Sequence, residues 1–378
     1  MRILFCSRNH LSKELGASKV LIELAEEMER EGWDCTIVSP HDIGFGLNGN
    51  EDYHQQLRQY LIKHASEYDV VEYDHGHLPY PRSDFHFGTL FVARSVLLGH
   101  HFNKIAIPRD TSIKGRVRSM LFGRDEAARG RQRTERAEVT VKEADLVNVL
   151  NLDDRAELVS CGIPDEKIVV IPAGISRSSR MLFDAVSSAP PVEPVVVFIG
   201  TFDHRKGASD FPLIVEHVSR AVPNVRFQLL GTFRDQHAVM NHFPKRLRSR
   251  IDVLPRFHPD ELPKLLSTGS VGIFPSYLEG FGIGVLEMLA ASIPVISYNC
   301  PGPPEMLTTD YLVAPGDWSG MSAKVIDLLK DKDSLTKARC WARQRSQHFR
   351  WESIAQITSE LYFRHWQIKT AVQAEVLS

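Results

Sequence analysis

Phe274-Pro275-Ser276-Tyr277-Leu278-Glu279-Gly280-Phe281-Gly282-Ile283-Gly284-Val285-Leu286-Glu287 decides the reading of this 378-residue chain. Val271 to Phe274 is a short apolar run and reads as a buried strand. A loop with glycines at 280, 282 and 284 follows, and a helix is expected over 284–291. Alternating glycines let a ligand approach the backbone and leave amides pointing outward. The helix N-terminus behind them favours an anion such as a diphosphate. Glu279 in the loop and Glu287 in the helix can reach different parts of one extended ligand. Taken alone, the stretch also suits an ordinary strand–helix turn with one solvated and one capping acid.

Outward from this stretch the same rhythm repeats. Val195–Ile199 reads as a strand, about 207–221 as a helix, Val225–Leu230 as a strand and 237–249 as a helix. Ile251–Leu254 and Pro294–Ser297 are further strands. Upstream, residues 187–194 open with Ser187-Ser188-Ala189-Pro190-Pro191 and close with Glu193-Pro194, which reads as a linker. Before it, Ile3–Cys6 is a strand. Ala17, Val20, Leu21, Leu24, Ala25 and Met28 then recur at helical spacing, Gly32 stops the helix, and Cys35–Val38 is the next strand. Val70-Val71 predicts a strand, Leu90–Leu98 a helix and Ile105–Ile107 a strand. A basic helix is expected over about 116–142, with strands at Leu146–Leu150 and Ile168–Ile171. From Trp351 to about Val372, Ile354, Ile357, Leu361 and Trp366 make one stripe of a terminal helix.

Alternating strands and helices imply parallel sheets covered on both faces. The expected organisation is an N-terminal domain of residues 1–186 plus 352–378, the linker 187–194, and a second doubly wound domain of residues 195–351. Ligands of such sheets bind beyond the carboxyl ends of the strands, so the default site is a cleft between two facing domains. Composition agrees: 43% apolar and 24% charged residues are ordinary for a globular protein, and a net charge of −2 points to neither nucleic acid nor an acidic tail. Five scattered cysteines without a CxxC suggest neither a disulfide framework nor a zinc ribbon, and a reducing compartment is the simplest expectation. Ile3 to Cys6 is too short for a signal sequence, and no run of about 18 apolar residues exists, so a cytoplasmic location is expected.

Three other stretches carry candidate chemistry. Phe198-Ile199-Gly200-Thr201-Phe202-Asp203-His204-Arg205-Lys206-Gly207 places two cations before a glycine and a helix, which suits neutralisation of a diphosphate leaving group. A solvated basic turn is the plainer alternative. Leu15-Gly16-Ala17-Ser18 stands at the mouth of the first helix, without the GxGxxG of a dinucleotide fingerprint. Lys167-Ile168-Val169-Val170-Ile171-Pro172-Ala173-Gly174-Ile175-Ser176 reads as structural, closing the first domain.

The Glu279–Glu287 segment resembles the EGFG…E motif of the family 4 retaining glycosyltransferases, which have the GT-B fold. The resemblance covers most of the chain, most densely over 195–315. It implies that Glu279, Gly280, Phe281, Gly282 and Ile283 hold the donor sugar and that Glu287 holds the ribose of a nucleotide. Phe198–Gly207 resembles the family's donor-phosphate motif: Lys206 falls on the family Lys, Thr201 stands where the family has Arg, and Arg205 is the nearest substitute. Gly16 falls in a loop similar to the one that lies over the donor phosphate and the acceptor. Residues 167–176 look like the family's IPNGVD segment, and Pro301–Glu305 and Trp351-Glu352 also have counterparts. Base recognition is expected near Leu254–Phe257, with Arg256 among the donor-binding residues.

Weaker features have plain readings beside the functional ones. Family members often carry a His after about the fourth strand of the first domain, contacting the donor sugar. Arg109 stands near that place here, and Arg109 and His75 are expected at the acceptor, with Gly16. Asp74-His75-Gly76-His77 is weak as a metal site, and Asp331-Lys332-Asp333 reads as a solvated helix junction, so no metal is expected. Between Arg109 and Arg136 nine basic residues face four acidic ones. That excess suits an anionic acceptor or peripheral contact at the inner membrane face, and equally a solvated helix face.

The resulting expectation is a GT-B α/β protein that moves a sugar, with retention, from a nucleotide-sugar (a UDP-sugar, the commonest family donor) to a hydroxyl of a saccharide, lipid-linked or small-molecule acceptor. Lys206, Glu279 and Arg205 form the expected catalytic set, with no cofactor and no obligatory metal. The alternatives are a non-catalytic nucleotide-sugar-binding subunit and a nucleotide-sugar epimerase on the same fold.

Overall fold

The computed structural model describes residues 1–12, 16–46, 52–108 and 113–377, with backbone alone at 16, 17, 103, 113–127 and 372–377. Among the described residues twelve strands form two parallel sheets. The first sheet contains β1 (Arg2–Cys6), β2 (Asp34–Val38), β3 (Val70–Asp74), β4 (Leu90–Arg94), β5 (Leu146–Val149) and β6 (Ile168–Val170), in the order β2-β1-β3-β4-β5-β6. The second contains β7 (Val195–Ile199), β8 (Arg226–Leu230), β9 (Ile251–Leu254), β10 (Val271–Phe274), β11 (Val295–Tyr298) and β12 (Leu312–Val313), in the order β12-β11-β10-β7-β8-β9. The helices are α1 (Gly16–Arg30), α2 (Tyr53–His64), α3 (Ile113–Glu143), α4 (Leu152–Ser160), α5 (Arg177–Asp184), α6 (Phe211–Ala221), α7 (Gln236–Met240), α8 (Leu262–Leu266), α9 (Ile283–Ala290), α10 (Trp318–Lys330), α11 (Lys332–Ser346) and α12 (Trp351–Leu377).

The chain forms two compact units. One comprises Met1–His101, Ser119–Ala173 and Trp351–Ser378, the other Phe102–Arg118 and Gly174–Arg350. Each sheet is wound in both directions from one strand. In the first, β1 has β2 on one side and β3 on the other, so the winding reverses between β1 and β3. In the second it reverses between β7 and β10, with β8 on the far side of β7. Such a reversal parts the loops at the carboxyl ends of two neighbouring strands and opens a crevice there.

In the first unit α12 returns onto the sheet. Its Trp351 is fully buried and its indole Nε1 donates to Glu23 of α1 at 2.8 Å. Further along, Trp366 Nε1 donates to the Gly88 carbonyl at 3.1 Å, and Lys369 Nζ bonds Asp145 at 2.8 Å. In the second unit the fully buried Arg339 of α11 donates to the carbonyls of Ser187, Ser188 and Gly269 at 3.1, 3.0 and 2.7 Å. The 187–194 stretch is thereby tied to that unit. Burial, with Arg343 beside it, brings the Arg339 guanidinium down to about 10.

Two expectations before residue 110 need correction. The segment expected as a helix over Leu90–Leu98 is strand β4, and Ile105–Ile107, expected as a strand, lies outside any strand. Leu90, Phe91, Val92 and Ala93 are all buried, and a strand covered on both faces has no polar side to show its period. In the second unit the helix expected over 237–249 breaks into α7 and a 3-10 turn, Lys245–Arg250, with Pro244 capping the turn. The basic stretch runs as α3 through most of its length, and Arg129, Arg131 and Arg133 are exposed. No described helix is long and apolar enough to cross a membrane.

Candidate functional site

The reversal point of the second sheet brings the two most informative stretches of sequence together. After β7 the chain makes a 3-10 turn, His204–Lys206, whose start is fixed by Asp203. That carboxylate accepts from the Lys206 amide at 3.1 Å and from the Thr201 hydroxyl at 2.7 Å. Gly207 ends the turn at φ +81°, and a Cβ there would collide with the Pro275 carbonyl oxygen. The loop after β7 therefore lies flush on the loop after β10, a contact reinforced by the Tyr277 amide donating to the Arg205 carbonyl at 2.8 Å.

Three charged side chains meet on that surface. Lys206 Nζ is 2.5 Å from Glu279 Oε1, and Arg205 Nη1 is 3.1 Å from the same oxygen while donating to the Leu278 carbonyl at 2.8 Å. Glu279 is buried, and Lys206 Nζ also stands 4.9 Å from the centre of the Phe274 ring. Two cations against one carboxylate leave one positive charge in excess in a partly dehydrated spot, which suits an anion. The loop is pinned from below by the buried Asp210, which accepts from the hydroxyls of Tyr277 and Tyr298 at 2.7 Å each. Burial, then the hydrogen bond to Asp210 and its charge, push both phenols up from their ordinary value.

Gly280 and Phe281 continue the loop, and Gly282 caps α9 at φ +91°. Gly302, at φ +101°, comes so close that a Cβ would stand 2.8 Å from the Phe281 carbonyl oxygen. Ile283 opens α9, and Glu287 is buried on its second turn. Arg256 lies beyond β9, its guanidinium 4.7 Å from the centre of the Phe233 ring. Phe233 is 43% exposed, at a φ of 50° that non-glycine residues seldom adopt. Ring and guanidinium make a surface on which a planar group can stack. Phe233 had no signal in the sequence, because its position depends on a backbone conformation rather than on residue type.

In the first unit the corresponding point holds a cavity of about 70 Å³, lined in part by Ser7, Arg8, Glu72, Asp74, His77 and Arg94. Arg94 and Glu72 are buried and paired at 3.2 Å. The Tyr362 hydroxyl of α12 donates to the second oxygen of Glu72 at 2.5 Å and accepts from Asn148 Nδ2 at 2.8 Å. Asp74 Oδ1 accepts from the Gly76 amide at 3.0 Å and lies 3.5 Å from a nitrogen of both His75 and His77. Burial raises the Asp74 carboxyl, but the two imidazoles, led by His77, with the Gly76 amide and Arg8, hold it below its ordinary range. Burial brings the His77 imidazole down to about 4, Arg8 adding to the effect and Asp74 opposing it.

His75, expected at the acceptor, is buried at this edge, and its Nε2 accepts from the Gly99 amide at 3.3 Å. Gly16 is the first residue of α1. Leu15 and Arg109 lie outside the described residues. The residue ending the fourth strand is Arg94, not one near Ile105–Ile107. Arg94 and Glu72 were missed: Glu72 breaks the apolar start of β3 and Arg94 closes the apolar run of β4, and a charge within or at the end of a buried strand is the signal that marks them.

Residues 193–331 match the family model described as Glycosyl transferases group 1. Glycogen synthase of Mycobacterium tuberculosis (strain ATCC 25618 / H37Rv) is 29% identical over 218 residues, 56% of this chain and 51% of the relative. O-antigen chain mannosyltransferase B of Escherichia coli is 32% identical over 106 residues, 28% of each chain. The chain thus spans about half the length of the first of these curated relatives, and less of the second. Among solved structures, sucrose-phosphate synthase from Thermosynechococcus elongatus matches with a TM-score of 0.73 at 18% identity, over 97% of this chain and 99% of that one. Anabaena HepE in complex with UDP and glucose matches with a TM-score of 0.63 at 17% identity, over 96% and 99%. At such identities the likeness is one of fold, two Rossmann-like domains of the GT-B type.

Proposed function

The chain carries a Glycosyl transferases group 1 domain over residues 193–331, and from that premise we propose that it transfers a sugar, with retention, from a nucleotide-sugar to an acceptor hydroxyl. The observation that carries the proposal is the convergence of Lys206 and Arg205 on Glu279 at the reversal point of the second sheet. In the proposed reaction the diphosphate of the donor takes the two cations, and Glu279 turns to the hydroxyls of the sugar. The bond from the anomeric carbon to the diphosphate oxygen breaks, its electrons staying on that oxygen. The acceptor oxygen bonds the same face of the carbon and gives its proton to the departing phosphate. Lys206 and Arg205 stabilise the charge that develops, so the step asks for no carboxylate nucleophile and no metal.

Glu287 is assigned to the ribose, and the Phe233–Arg256 surface to the base. A UDP-sugar is the proposed donor, supported by HepE, whose structures hold UDP with glucose and UDP-glucose. Thermal shift of the purified protein against UDP-, GDP- and ADP-sugars, with and without EDTA, tests this reading. A ligand at about 100 times its Kd adds about 2.7 kcal/mol of stability. A rise with one nucleotide class that survives EDTA is the expected result. No rise with any nucleotide contradicts the reading, and a rise abolished by EDTA contradicts its metal-independence.

A further inference from the structure

The buried Arg94 guanidinium at the end of β4, one strand from the reversal point of the first sheet, is half used. Nη1 of Arg94 is engaged by Glu72, but Nε and Nη2 have no hydrogen-bond partner and are closed to solvent. These two nitrogens form one edge of the guanidinium, a pair of parallel donors matched to the two oxygens of a carboxylate or a phosphate. Leaving two such donors dehydrated and empty is costly, so a partner is expected. Glu72 cannot supply it. One of its oxygens is on Nη1 and the other accepts from Tyr362.

The surroundings point to the same class of ligand. Arg94 lines the cavity beyond the ends of β1, β3 and β4, and the exposed Arg8 lines it too. The His77 imidazole there, held down to about 4, is neutral near pH 7 and adds no charge of its own. Asp74 and Glu72 are the opposing charges: Asp74 Oδ1 accepts from the Gly76 amide, and the two oxygens of Glu72 are engaged by Arg94 and Tyr362. Glu72, fixed by Tyr362 and through it by Asn148, holds Arg94 in one orientation before any ligand arrives.

We infer that this cavity binds an oxyanion, a carboxylate or a phosphate carried by the acceptor, on the Nε–Nη2 edge of Arg94 with Arg8 at the rim. The inference rests on the glycosyltransferase reading above and adds the acceptor's charge class to it.

The test is calorimetry on the full chain with glucose, glucose 6-phosphate and glucuronate as probes, and with UDP titrated in parallel. One of the two anionic sugars is expected to bind at least tenfold more tightly than glucose, and which one does so tells phosphate from carboxylate. Arg94→Lys keeps the charge but loses the paired donors, and should remove most of that advantage while leaving UDP binding within twofold. Arg8→Gln, at an exposed position, should reduce the advantage severalfold, and it serves if Arg94→Lys fails to fold. Equal binding of the three sugars, no binding of either anionic sugar, or an advantage untouched by both substitutions overturns the inference. An equal loss of UDP and anion binding in Arg94→Lys overturns its assignment to the acceptor. UDP binding without any anion preference refutes this inference alone. Absence of UDP binding refutes the glycosyltransferase reading and leaves the anion arm readable.

Discussion

The two sheets share one winding but differ in what stands where it reverses. In the second unit the charges lie on loops: Lys206 and Arg205 follow β7, and Glu279 follows β10. In the first unit they belong to the strands themselves, Glu72 on β3 and Arg94 on β4, and a tyrosine from α12 closes the pair. Charges on loops can exchange partners as a ligand arrives, whereas charges buried in a sheet are fixed before it comes. The second site is therefore suited to a substrate whose charge changes during reaction, and the first to one that must be held in place.

That contrast can be broken most sharply at Lys206. Lys206→Ala should cut kcat of nucleotide-sugar turnover by about 100-fold or more, with a smaller change in KM, as for loss of a group that stabilises developing charge. Steady-state rates decide it, and a raised KM at unchanged kcat would speak for uniform binding instead. Next comes the contact between the two loops. Gly207→Val places a branched side chain at φ +81° against the Pro275 carbonyl. It should cost about 3 kcal/mol or more, read by denaturant unfolding, because conformational strain and collision add. An unchanged midpoint would mean that the loops do not depend on each other.

In the first unit the expected effect is one of pH. The His77 imidazole is held at about 4 in the folded chain, against about 6.5 when unfolded. Between these values the unfolded chain binds the extra proton, so stability is lost as pH falls through this window, by up to about 3 kcal/mol. His77→Phe should flatten that part of the stability–pH curve; an unaltered slope would assign it to another group. The smallest effect is expected at Tyr298→Phe, which removes one of the two hydrogen bonds to Asp210. A loss of about 1 kcal/mol is expected, with Tyr277 retaining the carboxylate. A loss several times larger would show that the two tyrosines act as a unit.

Legibility in the sequence follows the same division. The loop site was readable because glycines, a helix start and charged residues are adjacent in the chain, and parallel winding brings the loops after β7 and β10 together. The Asp210–Tyr277–Tyr298 cluster was not, since its members are 67 and 88 residues apart from the carboxylate. The apolar run before Arg94 shows no period that separates strand from helix, so the sequence points to Arg109 rather than to Arg94. Glu72 and Arg94 become meaningful only when β3 and β4 are seen as neighbours, with Glu72 opposite Val92 and Asp74 opposite Arg94 in register.

The central claim is that the two cations after β7 exist to hold a diphosphate. Calorimetric titration of UDP into the wild-type chain and into Arg205→Ala/Lys206→Ala tests it directly. Saturable binding to the wild type, weakened at least 100-fold in the double variant with the fold intact by circular dichroism, is the predicted result. Equal affinity in the two proteins would contradict the account.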